Sequence, residues 1–202
     1  MLAVLPREFA RVVAQWSGFH RFCVTRLLGI RVIVEGGPQQ APALYALKHE
    51  SFFEAIDLPH LLPHPVPFAK AELLRLPFWG WAARSYGVIP VARDEGAKAL
   101  RAMVAAARTH ANGRPLAIFP EGTRVPHGQR PALQSGFAGL YKLLGLPVVP
   151  VAVASGLVYH RWWKGAGTIA IRFGEAIPAG LPREVVESRV HAAINALNGR
   201  PE

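Results

Sequence analysis

The first regular feature of the chain is an apolar stripe. Phe9, Val12, Val13, Trp16, Phe19, Phe22 and Cys23 recur at spacings of three and four, while Arg7, Arg11, Arg21 and Arg26 fall off that line. The spacing predicts an amphipathic helix over residues 6–28, with Ser17-Gly18 as a candidate bend. Beyond it the pattern shortens to brief apolar runs that predict strands: RVIVEG (31–36), ALYAL (43–47), VPFAK (66–70), GVIPVAR (87–93), PLAIF (115–119), VVPVAVA (148–154) and TIAIRF (168–173). Helical segments separate them. One starts near Ser51 and is stopped by Pro63 and Pro65; another surrounds Pro77 and Gly80. An alanine-rich one covers 94–112, and others cover 136–144 and 182–197. Alternating strands and helices predict a single α/β domain with a mixed, mainly parallel sheet covered by helices. Residues 1–30 are expected to form an N-terminal amphipathic helical segment at the membrane surface, and residues 31–202 the domain that carries the chemistry.

Charge changes this picture. The chain has 23 Lys and Arg against 13 Asp and Glu, a net charge of +10. Such a field attracts polyanions: nucleic acid, anionic membranes or phosphate-bearing substrates. Hydrophobic residues make up 51% of the chain, yet no run reaches the roughly 20 apolar residues of a spanning helix. The longest uncharged stretch, 143–159, is interrupted by Pro147 and Pro150 and reads as a buried strand with turns. High apolarity with positive charge and no span favours a protein that lies on a membrane surface. The aromatic stripe can rest among headgroups, where each nearby arginine adds roughly 1 kcal/mol on an anionic leaflet; ordinary core packing accounts for the same stripe. Cys23 is the sole cysteine, which excludes an internal disulfide and a thiolate zinc cluster. It is expected to be a buried structural thiol. The opening residues lack the apolar region of a signal peptide, so cytoplasmic synthesis and retention are expected.

Four segments put reactive residues where strands end, which is where sites form in open α/β sheets. In KHESFFE, His49 follows a strand and Glu54 lies five residues on. On one continuous helix the two would point about 140° apart, so they can pair only if His49 sits in the loop before the helix. Then the carboxylate can hold one ring nitrogen while the other takes a proton, the arrangement of an oriented general base. Ser51 and Glu54 also fit a capping box, in which the carboxylate bonds a backbone amide instead. In FPEGTR, Gly122 lets a ligand approach the backbone, Thr123 offers a hydroxyl, and Arg124 can grip phosphate with two donors. Arg93, at the end of GVIPVAR, and Lys70, at the end of VPFAK, suit a phosphate anchor or plain surface charge. Pro150 inside an apolar strand marks a bulge or an edge position and can line an acyl channel or the core. No serine-hydrolase elbow, nucleotide-phosphate loop or zinc-type histidine pair is present.

Taken in order, the four segments resemble the four motifs of the glycerolipid acyltransferases, most closely the 1-acyl-sn-glycerol-3-phosphate acyltransferases. The resemblance runs from about residue 31 to 177. His49 and Glu54 correspond to an H-x-x-x-x-D motif, with Glu in place of Asp. KAELLRLPFWGW…GVIPVARD looks like the second motif, FPEGTR matches the third, and VVPVAV looks like the fourth. The resemblance implies that His49, oriented by Glu54, deprotonates the sn-2 hydroxyl of lysophosphatidic acid, which then attacks a thioester. It implies that Lys70, Arg93 and Arg124 hold the phosphate, that Glu121, Gly122 and Thr123 shape the glycerol side, and that Pro150 lines the acyl channel. No metal or cofactor is implied, and acyl-CoA or acyl carrier protein serves as donor. The expected location is the cytoplasmic face of a bacterial inner membrane with anionic phospholipid. The rival readings are an acyltransferase for another lyso-lipid, such as lyso-ornithine lipid, or a non-catalytic lipid binder. A nucleic-acid module rests on charge alone.

Overall fold

The computed structural model describes residues 6–92, 96–160 and 162–199. Helix α1 (Pro6–Arg26) leads into strand β1 (Ile30–Glu35), then β2 (Leu44–Leu47), helix α2 (Phe53–Leu61) and β3 (Val66–Lys70). A 3₁₀ turn (Ala71–Arg75), α3 (Trp79–Tyr86), β4 (Ile89–Val91), α4 (Gly96–Ala111) and β5 (Leu116–Ile118) follow. Next come α5 (Gly136–Leu144), β6 (Val148–Ala154), β7 (Gly167–Phe173) and α6 (Arg183–Ile194). The strands form one seven-stranded sheet in the order β1-β7-β6-β2-β5-β3-β4. Every neighbouring pair is parallel except β6 with β7. The mixed, mainly parallel sheet expected from the alternation is therefore observed.

Period-two alternation decides which helix covers which face. Leu44 and Ala46 of β2 meet Met103 and Val104 of α4, Phe137 and Leu140 of α5, and Val186, Val190 and Ile194 of α6. Tyr45 and Leu47 point the other way, to Val24 of α1 and Phe53 and Leu58 of α2. Burial on both sides explains why β2 reads as an unbroken apolar run.

Four local expectations need correction. Helix α1 runs through Ser17 and Gly18 unbroken, because the Ser17 hydroxyl donates to the Ile56 carbonyl at 2.7 Å and locks it against α2. Helix α2 starts at Phe53 rather than Ser51, with Phe52 as its cap residue. Cys23 is half-buried rather than buried, since it lies beside the outward face of α1. Of the two positions expected for Pro150, the edge is excluded, since β6 is a central strand, and the bulge is found: residues 149–150 lie opposite the three residues 174–176. Its missing donor falls where the antiparallel ladder breaks, between the Val151–Phe173 pair and the Val148–Ile177 bridge.

Helix α1 is also turned contrary to ordinary core packing. It buries Ser17 and Val24 and pairs Arg21 with Asp57 of α2, while Val12, Trp16, Phe19 and Phe22 face solvent, Phe19 at 65% exposure. No helix among the described residues is long and apolar enough to cross a membrane.

Candidate active site

The ends of the parallel strands bring the expected residues to one side of the sheet. Reading across, β6 is followed by Ser155, β2 by Lys48-His49 and β5 by Phe119–Glu121, while β3 ends at Lys70. His49 lies in the loop before α2, as pairing with Glu54 requires. Its ring is stacked on Phe119, with centroids 4.1 Å apart. Its Nδ1 lies 3.2 Å from Oε2 of Glu54. The same oxygen accepts the Ser51 backbone amide at 3.0 Å, and the Ser155 hydroxyl donates to the other oxygen. Capping and pairing therefore do not compete: one carboxylate oxygen serves both. A carboxylate so placed requires the proton on Nδ1, which leaves the lone pair on Nε2. The Ser51 amide is occupied by this carboxylate, so it does not point at an oxyanion.

The FPEGTR loop and Val125, which follows it, fix the backbone of His49 from both sides. The His49 amide donates to Oε2 of Glu121 at 3.3 Å, and its carbonyl accepts the Val125 amide at 2.8 Å. Glu121, expected on the glycerol side, is buried, and its other oxygen takes Nζ of Lys48 at 2.6 Å. Lys48 completes its donor set on the Gln129 carbonyl and Oδ1 of Asn195, both at 2.9 Å. Glu50 is buried too, receiving the Ser155 and Gly156 amides at 2.9 and 2.8 Å and Nδ1 of His127 at 3.0 Å. Burial pushes its carboxyl above the usual range against the pull of those donors.

The remaining expected residues stand at the rim. Gly122 has φ of +70° at the loop's tight turn, where a side chain would be strained. Thr123, Arg124 and Lys70 are exposed. The Arg124 guanidinium lies over the Phe52 ring, 3.9 Å from its centre. That stack keeps the planar edge of Arg124, with its fork of donors, available to an anion. Lys70 ends a strand two neighbours from β2, about 10 Å across the sheet. Arg93 lies outside the described residues. Pro150 is buried within β6, in register with Ala46 and packed against Gly174.

Sequence reasoning missed Lys48, Glu50, Phe119, Ser155 and Asn195. Lys48 and Glu50 stood inside the motif beside His49, and their signal was charge flanked by an apolar strand. Asn195 and Ser155 carried no such signal, because only the fold brings them to the loop.

Comparison with known proteins agrees with this geometry. The model of the Acyltransferase family matches residues 30–154. The chain is 32% identical to the 1-acyl-sn-glycerol-3-phosphate acyltransferase of Pseudomonas aeruginosa, over 98% of this chain and 77% of that protein. It is 33% identical to the alpha form of that enzyme from Ovis aries, over 64% of this chain but only 47% of the relative. The crystal structure of the 1-acyl-sn-glycerophosphate acyltransferase of Thermotoga maritima superposes with a TM-score of 0.74. That match covers 100% of this chain and 86% of the other at 22% identity, a likeness of fold. The chain belongs to the acyltransferase family.

Proposed function

We propose that this acyltransferase transfers a fatty acyl group from a thioester donor to the sn-2 hydroxyl of lysophosphatidic acid, yielding phosphatidic acid. The observation that carries the reading is the Glu54–His49 pair, which turns Nε2 into an oriented base. Nε2 takes the hydroxyl proton as the acceptor oxygen attacks the thioester carbonyl. The carbon–sulfur bond then breaks, and the protonated imidazole returns the proton to the departing thiolate. Glu54 stabilises the imidazolium between those steps. Arg124 and Lys70, with Arg93, hold the phosphate, and Gly122 and Thr123 lie beside the glycerol. Glu121 acts by holding the His49 backbone.

The acyl donor is acyl-CoA or acyl carrier protein; the basic surface suits either. Both donor and acceptor are presented at an anionic membrane, on which α1 lies with Trp16, Phe19 and Phe22 among the lipids. What supports this is a helix that buries polar residues and exposes aromatic ones. The membrane assigned is the cytoplasmic leaflet of a bacterial inner membrane. Acyl transfer to lysophosphatidic acid, lyso-ornithine lipid and lysophosphatidylcholine should be measured side by side. Product from lysophosphatidic acid alone, lost in His49→Ala, is the expected result. Preference for another acceptor would sink the substrate assignment, and full activity in His49→Ala would sink the mechanism.

A further inference from the structure

Another apolar surface lies next to α1, at the turn between the 3₁₀ segment and α3. Leu73, Leu76, Phe78, Trp79 and Trp81 are all exposed within this short stretch, Phe78 at 90%. Exposed aromatic and aliphatic side chains in such density mark an interaction site rather than a random surface.

The backbone holds Phe78 out at a cost. Its φ of 59° and ψ of −54° place it at the centre of a γ-turn of the rare positive-φ kind, closed by the Trp79 amide on the Pro77 carbonyl at 2.5 Å. A bulky residue in that conformation is strained and persists only where its surroundings enforce it. They do so here. The Gly80 amide bonds the Leu76 carbonyl at 2.8 Å, and Arg84 reaches the Leu74 carbonyl at 2.9 Å. Gly80 is pressed so closely on this turn that a Cβ would lie 2.0 Å from the Leu74 oxygen. The apex is therefore rigid, and its rigidity presents one phenylalanine to the outside.

Position and charge identify the occupant. Trp81 meets Phe9 of α1 edge-on at 5.8 Å, so the turn continues the exposed aromatic face of that helix. From residue 70 to 84 the cations are Lys70, Arg75 and Arg84, against the single carboxylate of Glu72. Aromatic side chains edged by cations suit an anionic lipid interface.

We propose that the 76–81 turn is a second membrane-inserting element, with Phe78 as a wedge that reaches past the headgroups to the acyl chains. Resting on the membrane reading of α1, this adds a point of contact outside that helix. Two contacts fix the orientation of the protein on the bilayer, which a single helix lying in the interface does not.

The test uses the full chain and vesicles of phosphatidylglycerol and phosphatidylethanolamine. Spin labels are placed at Phe19→Cys and Phe78→Cys in a Cys23→Ser background, and their depth is read from oxygen accessibility. Both labels are expected in the acyl region. Phe78→Gly, which relieves the turn while removing the ring, should weaken vesicle binding about tenfold and leave Tm unchanged or higher. A buried label at 19 with a water-exposed label at 78 overturns the wedge and leaves the α1 reading standing. Unchanged binding of Phe78→Gly also overturns it. Failure of the wild-type chain to bind these vesicles overturns both.

Discussion

Lys48 and Glu121 form an ion pair of 2.6 Å with both side chains wholly removed from solvent. A buried pair adds little net stability over an apolar substitute, but removing one partner strands the other charge. Lys48→Met or Glu121→Gln alone should cost about 3–5 kcal/mol. The double variant Lys48→Met/Glu121→Gln should cost clearly less than the sum. Denaturant unfolding of the set measures the coupling. Additive losses would mean that the two residues act independently.

Glu54 allows capping and orientation to be separated. In Glu54→Gln the amide oxygen can still accept the Ser51 backbone amide, so the start of α2 keeps its bond. Charge stabilisation of the imidazolium is lost. The expected outcome is a kcat lower by about 10²-fold or more, with Tm nearly unchanged. Ser51→Ala should do the reverse: it removes the acceptor of the Phe53 amide, costs about 0.5–2 kcal/mol and lowers kcat less. Steady-state kinetics beside thermal unfolding would check both, and equal kcat losses in the two variants would refute the division of roles.

Much of the framework was legible because it rests on local periodicity. All seven strands match apolar runs in the sequence, and α5 matches its predicted limits. His49 and Glu54 were found because both lie on one short segment. Lys48, Glu121 and Asn195 were not assembled beforehand, since β2, the FPEGTR loop and the end of α6 are distant in the chain and meet only through sheet order. The direction of the α1 stripe was equally hidden. Periodicity shows that a helix has an apolar side, not whether protein or solvent lies against it. Here the Ser17 and Arg21 contacts with α2 decide the rotation.

The Phe52–Arg124 stack predicts a selective binding defect. Phe52→Ala leaves Arg124 charged but frees its long side chain, so ordering it on a phosphate costs more entropy. KM for lysophosphatidic acid should rise several-fold while kcat changes little. KM for a lyso-lipid without a terminal phosphate monoester should rise less. Arg124→Lys should show the same selectivity, because lysine lacks the planar fork. An equal rise for every acceptor would assign Phe52 to the acyl chain instead of the phosphate.

The seat of α1 should respond to pH through His20. Its Nε2 lies 2.9 Å from the Tyr159 hydroxyl, its ring packs on Phe53, and its Nδ1 is buried with no hydrogen-bond partner among the described residues. Burial pushes its pKa below the ordinary 6.5, Asp57 pulling the other way and Arg21 adding to the fall. The sign follows from proton binding. As pH drops through 6.5 the unfolded chain takes up this proton first, so the folded state loses stability until its own lower pKa is passed. Glu50 has the opposite sign: its raised pKa lets the folded chain bind a proton before the unfolded one, which favours the fold as pH falls towards 4.5. His20→Phe isolates the histidine, since phenylalanine can fill the same space but does not titrate. Tm measured from about pH 7.5 down to 5.5 should fall less steeply in His20→Phe than in the wild-type chain. Parallel curves would show that protonation of His20 does not govern the stability of this contact.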